Sequence, residues 1–223
     1  AQFTYNQGDT SPVYGSTMRR SFTETDEIYV SYYVKYSANW VGSNQPFHPH
    51  EFYLLTNLDG PYNGLSGTHM TAYIERNEGI PIIAIQDSQN INMDFLNQDI
   101  TLTHENRAAA GCNGLRGAAA GLVEDCYAYG STYRNVLEWR AGQVYFSDTP
   151  GPRYKNDWHR VEAYLKMNTI TNGVGNYNGV IQYFYDGQLL INHNNALLRT
   201  GQNPNMRFDT FIIAPYIGTG SPV

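Results

Sequence analysis

The chain has 223 residues, of which 15% are charged, with a net charge of −6 and nineteen tyrosines. That balance excludes a partner held by a basic surface, nucleic acid above all, and the wealth of Tyr, Gly and Asn excludes a helical bundle. No run of about 18 apolar residues offers a membrane-spanning helix, and a single domain of this length is ordinary only for an all-β protein.

In chain order, Ala1 to Asp26 is polar and holds Met18-Arg19-Arg20-Ser21-Phe22, a first short strand leading into the acidic turn Glu24-Thr25-Asp26-Glu27. The spacing of those carboxylates does not fit a glycosidase acid–nucleophile pair on one strand face, so the turn reads as solvated. Ile28 to Tyr36 alternates, with Val30, Tyr32 and Val34 on one face and Tyr29, Ser31, Tyr33 and Lys35 on the other. A period of two is that of a half-buried strand. His48-Pro49-His50-Glu51 then leads into Phe52-Tyr53-Leu54-Leu55. Two residues apart in extended chain, His48 and His50 point the same way. They suit a metal ion with a third ligand from Asp59, His69 or His104, or a general base or sugar contact, or a proline-stiffened loop packed on tyrosines.

Met70 to Arg76 and Ile80 to Gln86 read as a hairpin turned at Gly79. From His104 to Asn135 no strand period appears, and a loop of that length reads as a lid or binding loop. It holds both cysteines, Cys112 and Cys126. Bridged, they would close a loop of about 15 residues, worth on the order of 3 kcal/mol; unbridged, they are two free thiols. The bridge is the expectation, and with it a secreted or periplasmic location. The acidic excess is confined to the first 106 residues, with 12 acidic against 4 basic; residues 107 to 166 carry 6 against 8. An anionic substrate is therefore more easily met in the middle of the chain.

Val136 to Phe146 resumes the sheet, and the plainest strand signal follows. From Trp158 to Asn168 the side chains Val161, Ala163, Leu165 and Met167 alternate with Glu162, Tyr164 and Lys166. After a Gly/Asn-rich loop comes a run from Gly179 to Ile191, broken at Asp186-Gly187, a dipeptide that supplies the positive φ angles of a tight hairpin. Three successive antiparallel strands are predicted. Asn203 to Ile213 adds a last strand, with Phe208 and Ile212 expected on one face and Phe211 and Ile213 on the other.

The pattern Trp158-x-x-Val161-Glu162-x-Tyr164-x-Lys166-x-Asn168, a Gly-rich loop and an aromatic-Asp186-Gly187 hairpin resembles the jelly-roll polysaccharide lyases of family fourteen and their uncharacterised relatives. Leu198-Arg199-Thr200 and Ile213-Ala214-Pro215-Tyr216-Ile217-Gly218 are similar to the segments that follow in those proteins. The resemblance implies one jelly-roll β-sandwich of two antiparallel sheets over residues 1–223, its concave face a glycan cleft. By position in the motif it also implies functional roles for Glu162, Tyr164, Lys166 and Asn168.

A lyase acting on a uronate polymer removes the proton α to a carboxylate. It needs a cation or amide on that carboxylate, a base, and an acid for the leaving oxygen. The expected catalytic set is Lys166, Tyr164, Tyr183 and His50. The expected substrate contacts are Glu162, Asn168, Gln182, Tyr185, Lys35, Tyr33, Tyr53, His48 and Arg76. No metal or cofactor is obligatory for this chemistry, although a metal ion at His48 and His50 is compatible with the sequence. The partner is then an acidic polysaccharide or oligosaccharide. The alternative is a non-catalytic carbohydrate-binding module or lectin-like domain, in which the tyrosines stack on sugars without cleavage.

Overall fold

The computed structural model describes residues 1–15, 17–40, 50–57, 70–77, 80–87, 115–116, 137–140, 147–196, 198–199, 201, 204–217 and 220–222; in 70–77 (72 and 74 apart), 80–87, 115–116 and 137–140 the backbone alone is described. The strands are β1 (Met18–Thr25), β2 (Glu27–Val34), β3 (His50–Thr56), β4 (Met70–Asn77), β5 (Ile80–Asp87), β6 (Leu115–Arg116) and β7 (Leu137–Arg140). They continue with β8 (His159–Lys166), β9 (Ile170–Thr171), β10 (Val174–Gly175), β11 (Gly179–Tyr185), β12 (Gln188–Ala196) and β13 (Phe208–Ile213). There is no helix among the described residues. The short β6 lies inside the stretch expected to be a loop, paired with β7.

Two antiparallel sheets form a jelly-roll sandwich. The larger has the order β1-β13-β3-β4-β5-β7-β6 and the smaller β12-β11-β8-β2, with a separate β9-β10 ribbon. The three strands expected from Trp158 to Ile191 are β8, β11 and β12, and they pair as neighbours. Asp186 and Gly187 both have positive φ, 49° and 77°, which is the turn that Asp-Gly favours. The Met70 and Ile80 segments pair as the expected hairpin.

The core lies between the sheets. Phe52, Leu54, Ala72, Ile74 and Phe208 of the large sheet meet Val161, Ala163, Leu165, Ile181, Tyr183 and Ile191 of the small one. Alternation on β8 and β11 therefore sends Glu162, Tyr164, Lys166 and Gln182 to the outer face of the small sheet.

Two irregularities depart from simple alternation. In β13 the step from Phe208 to Thr210 faces a single step, Thr56 to Leu55, on β3, so one extra residue bulges. The bulge returns Phe211 to the core side, where its ring packs 5.3 Å from Phe52. Phe208, Phe211 and Ile213 thus all pack on the core, which corrects the expected division of that strand into Phe208/Ile212 and Phe211/Ile213 faces. In β3 the step from His50 to Phe52 faces the single step Glu75 to Ile74 on β4.

Asn168 ends β8 as a clamp. Its Oδ1 accepts the N–H groups of Leu198 and Arg199, both at 2.8 Å, and its Nδ2 donates to the Arg199 carbonyl at 2.9 Å. Arg199 in turn donates to the Asn168 carbonyl, the Met206 carbonyl and the carboxylate of Asp26. The turn before β2 is thereby tied to the segment leading into β13. Buried amides of this kind each contribute about 1 kcal/mol and cost more when orphaned. Asn168→Ala is expected to lower unfolding stability by about 3 kcal/mol, read as a reduced midpoint in urea; an unchanged midpoint would show that the clamp is incidental.

Candidate functional site

The bulge in β3 has a chemical consequence. The extra residue, Glu51, turns inward with Phe52, and His50 is left on the outer face beside Tyr53. In a regular strand residues three apart face opposite ways; here His50 Nδ1 and the Tyr53 hydroxyl are 2.5 Å apart. The Tyr216 ring lies 5.5 Å from the imidazole, and the His50 backbone N–H donates to the Tyr216 carbonyl at 2.9 Å. An imidazole and a phenol within hydrogen-bond distance, half-exposed on a sheet face, form an acid–base pair within transfer distance.

Glu51 itself is buried between the sheets. It accepts hydrogen bonds from Tyr32 at 2.8 Å, Tyr36 at 2.9 Å and Tyr183 at 3.3 Å. Three phenols from the small-sheet side thus hold a carboxylate from the large sheet, and this contact keeps the bulge turned inward. Glu51→Ala is expected to destabilise the fold by about 3 kcal/mol or more, because three phenols, that of the buried Tyr183 among them, lose their shared acceptor. A urea titration unchanged from wild type would remove this role.

The outer face of the small sheet carries a different group. The Tyr164 hydroxyl donates to Glu27 at 2.7 Å, and Lys166 Nζ stands 3.7 Å from the same carboxylate. Glu24, Thr25, Asp26, Glu27, Lys166 and Arg207 line an open depression of ≈ 430 Å³ beside them. Glu162 pairs with Arg160 at 3.0 Å and accepts a short hydrogen bond from Tyr29. Gln182 donates to Asn192 at 3.0 Å. The hydrogen bond to Glu27, then partial burial and the charge of the same carboxylate, raises the Tyr164 pKa above the ordinary tyrosine value. That shift runs against a role as a readily ionised base. Glu27→Gln is expected to return the Tyr164 titration toward about pH 10, followed through its ring ¹³Cζ resonance; an unmoved titration would mean that Glu27 is not its cause.

The expected site residues are therefore distributed over three places. Glu162, Tyr164, Lys166, Gln182 and Tyr33 share the outer face of the small sheet, with Lys35 just beyond the end of β2. His50 and Tyr53 share the outer face of the large sheet. Tyr183, Tyr185 and Asn168 are buried. The two tyrosines sit on the inward alternation of β11, on the other side of the sheet from Tyr164 and Gln182, which corrects the expectation of Tyr183 as a catalytic residue and Tyr185 as a substrate contact. Asn168 is spent on the clamp. Arg76 lies in β4 with only its backbone described, while His48, Cys112, Cys126, Asp59, His69, His104 and nearly all of the 104–135 stretch lie outside the described residues. Among the described residues no three His, Cys, Asp or Glu side chains are grouped so as to hold a metal ion. The residues that sequence reasoning passed over are Glu51, Tyr216 and Glu27. One signal for Glu51 was present: an acid opening the otherwise apolar run Phe52 to Leu55.

Among solved structures, the chain is similar to an alginate lyase, vAL-1, from Chlorella virus: 16% identity, TM-score 0.54, covering 98% of this chain and 76% of that one. The alginate lyase Aly36B, solved with an alginate trisaccharide as a double variant, aligns at 12% identity and TM-score 0.52 over 97% of this chain and 73% of that one. The fold is the jelly roll of polysaccharide lyases. No protein-family model and no curated protein sequence matches the chain.

Proposed function

We propose that the protein is a polysaccharide lyase that cleaves a uronate-containing polymer by β-elimination, with His50 and Tyr53 as its proton-transfer pair. The observation that carries this reading is the 2.5 Å contact between His50 Nδ1 and the Tyr53 hydroxyl, placed on a sheet face of a fold that solved alginate lyases share. Tyr53 passes its proton to His50 as it accepts the proton α to the uronate carboxylate. The C4–O bond then breaks, a C4–C5 double bond forms, and the imidazolium returns one proton to the leaving oxygen. One proton is taken and one delivered, so the pair ends as it began.

The substrate carboxylate also needs neutralising. Lys166 and Lys35 lie on the opposite side of the sandwich from His50, and Lys166 already faces Glu27. On the side of His50, the cross-strand row Arg19–Ile212–Tyr53 places Arg19 two strands from Tyr53, and Arg19 is the cation proposed for this task.

The test is an ultraviolet assay for unsaturated uronate ends over alginate, glucuronan, pectin and glycosaminoglycans. Wild type should give a rising signal on at least one polymer. His50→Ala and Tyr53→Phe should each lower kcat at least about 100-fold, the usual contribution of a positioned acid–base group. Lys166→Ala discriminates between faces: if it abolishes the signal while His50→Ala does not, the centre belongs to the small sheet. A flat signal from wild type on every polymer, with retention on a polysaccharide gel, would make the protein a non-catalytic binding module.

A further inference from the structure

The outer face of the small sheet carries a row of rings that the proposed cleavage does not use. Tyr29 and Tyr33 of β2 are 53% and 64% exposed, and Trp158, just before β8, is 65% exposed. Such exposure of three aromatic side chains on one face is unusual for a surface with nothing to bind. Tyr29 and Tyr33 are four residues apart on one strand, about 13 Å along the sheet. Tyr33 pairs with Arg160 in register, so Trp158, one alternation before Arg160, is its diagonal neighbour at roughly 7 Å.

Polar groups hold this row in place. The Tyr29 hydroxyl bonds to Glu162 and receives Arg160 Nη2 at 3.3 Å, and Arg160 Nε reaches Ser31 Oγ at 3.3 Å. The acids of the face are engaged: Glu162 by Tyr29 and Arg160, and Glu27 by Tyr164 and Lys166. Lys35 follows at the Tyr33 end of the row, exposed, and the Arg160 side chain is 45% exposed.

We infer that this face is a second, non-catalytic binding surface for an acidic polysaccharide chain. Trp158, Tyr33 and Tyr29 stack on sugars spaced along one chain, and Lys35 and Arg160 meet the carboxylates. The identity of the polymer rests on the proposed function; the existence of the surface does not. Lying on the other side of the sandwich from His50, it would hold a chain without presenting it to the acid–base pair of the opposite face, tethering the enzyme to long polymer between cuts.

Affinity electrophoresis in native gels containing alginate or glucuronan tests this, with the full chain carrying His50→Ala so that the polymer is not consumed. Tyr33→Ala/Trp158→Ala is expected to weaken retardation several-fold at unchanged Tm, and Lys35→Ala to weaken it less and in a salt-dependent way. Should the double variant unfold, Tyr33→Ala alone carries the same expectation. Unchanged retardation overturns the proposal, and equal retardation by a neutral glucan overturns the acidic class. β2 is also the edge of its sheet. If the variants alter the elution volume in size exclusion and leave retardation unchanged, the rings serve a second copy of the chain and the proposal falls. If wild type shows no uronate signal but the double variant loses retardation, the surface stands and the lyase reading fails alone.

Discussion

A buried carboxylate organises this sandwich. Charge between two sheets is expensive unless every lone pair finds a donor, and Glu51 finds Tyr32, Tyr36 and Tyr183. Those donors come from β2, the segment after it, and β11, whereas Glu51 comes from β3, so the contact sets one sheet against the other. It also fixes the local register. With Glu51 held inward, Phe52 remains in the core and the backbone has one residue too many at that point, which leaves His50 outward. The imidazole and the phenol meet at a spacing of three only because the carboxylate is anchored on the other side.

The fold was legible where alternation is uninterrupted. Val161, Ala163 and Leu165 against Glu162, Tyr164 and Lys166 predicted β8 and its faces, and Asp186-Gly187 predicted the β11–β12 turn, because both signals are local and geometric. The misassigned faces of β13 have one physical source. A bulge adds a residue that no period announces, and it inverts the face of everything on one side of it. In β13 it brought Phe211 to the core side, and in β3 it brought His50 and Tyr53 together. The site was harder still, since the residues that match the lyase pattern divide between a solvent face, the core and a clamp. Asn168 matches the motif, yet its amide is consumed by the Leu198–Arg199 backbone, a long-range contact invisible in a linear pattern.

The two outer faces differ in their electrostatic state. On the small sheet, acids and bases satisfy each other: Glu27 with Tyr164 and Lys166, Glu162 with Arg160 and Tyr29. Groups already neutralised by neighbours are poor at meeting developing charge, but they hold rings and guanidinium in fixed positions, as a binding surface requires. On the large sheet His50 and Tyr53 stand within hydrogen-bond distance, two groups that can each give or take a proton, which suits chemistry better than adhesion.

The order β1-β13-β3 has a bearing on how the chain reaches this state. β13 lies between the first strand and the third, so Met18 meets Ile213 and Tyr53 meets Ile212. Neither neighbour meets β13 until the long intervening chain has left the ribosome, and the loops closed by these pairings are among the longest of the described strand pairings. Such high contact order slows folding and leaves the apolar edge of β3 open in the interval. In the small sheet β8, β11 and β12 join through short loops and β2 alone waits for a distant partner, whereas in the sheet that carries His50 and Tyr53 both β1 and β3 wait for β13.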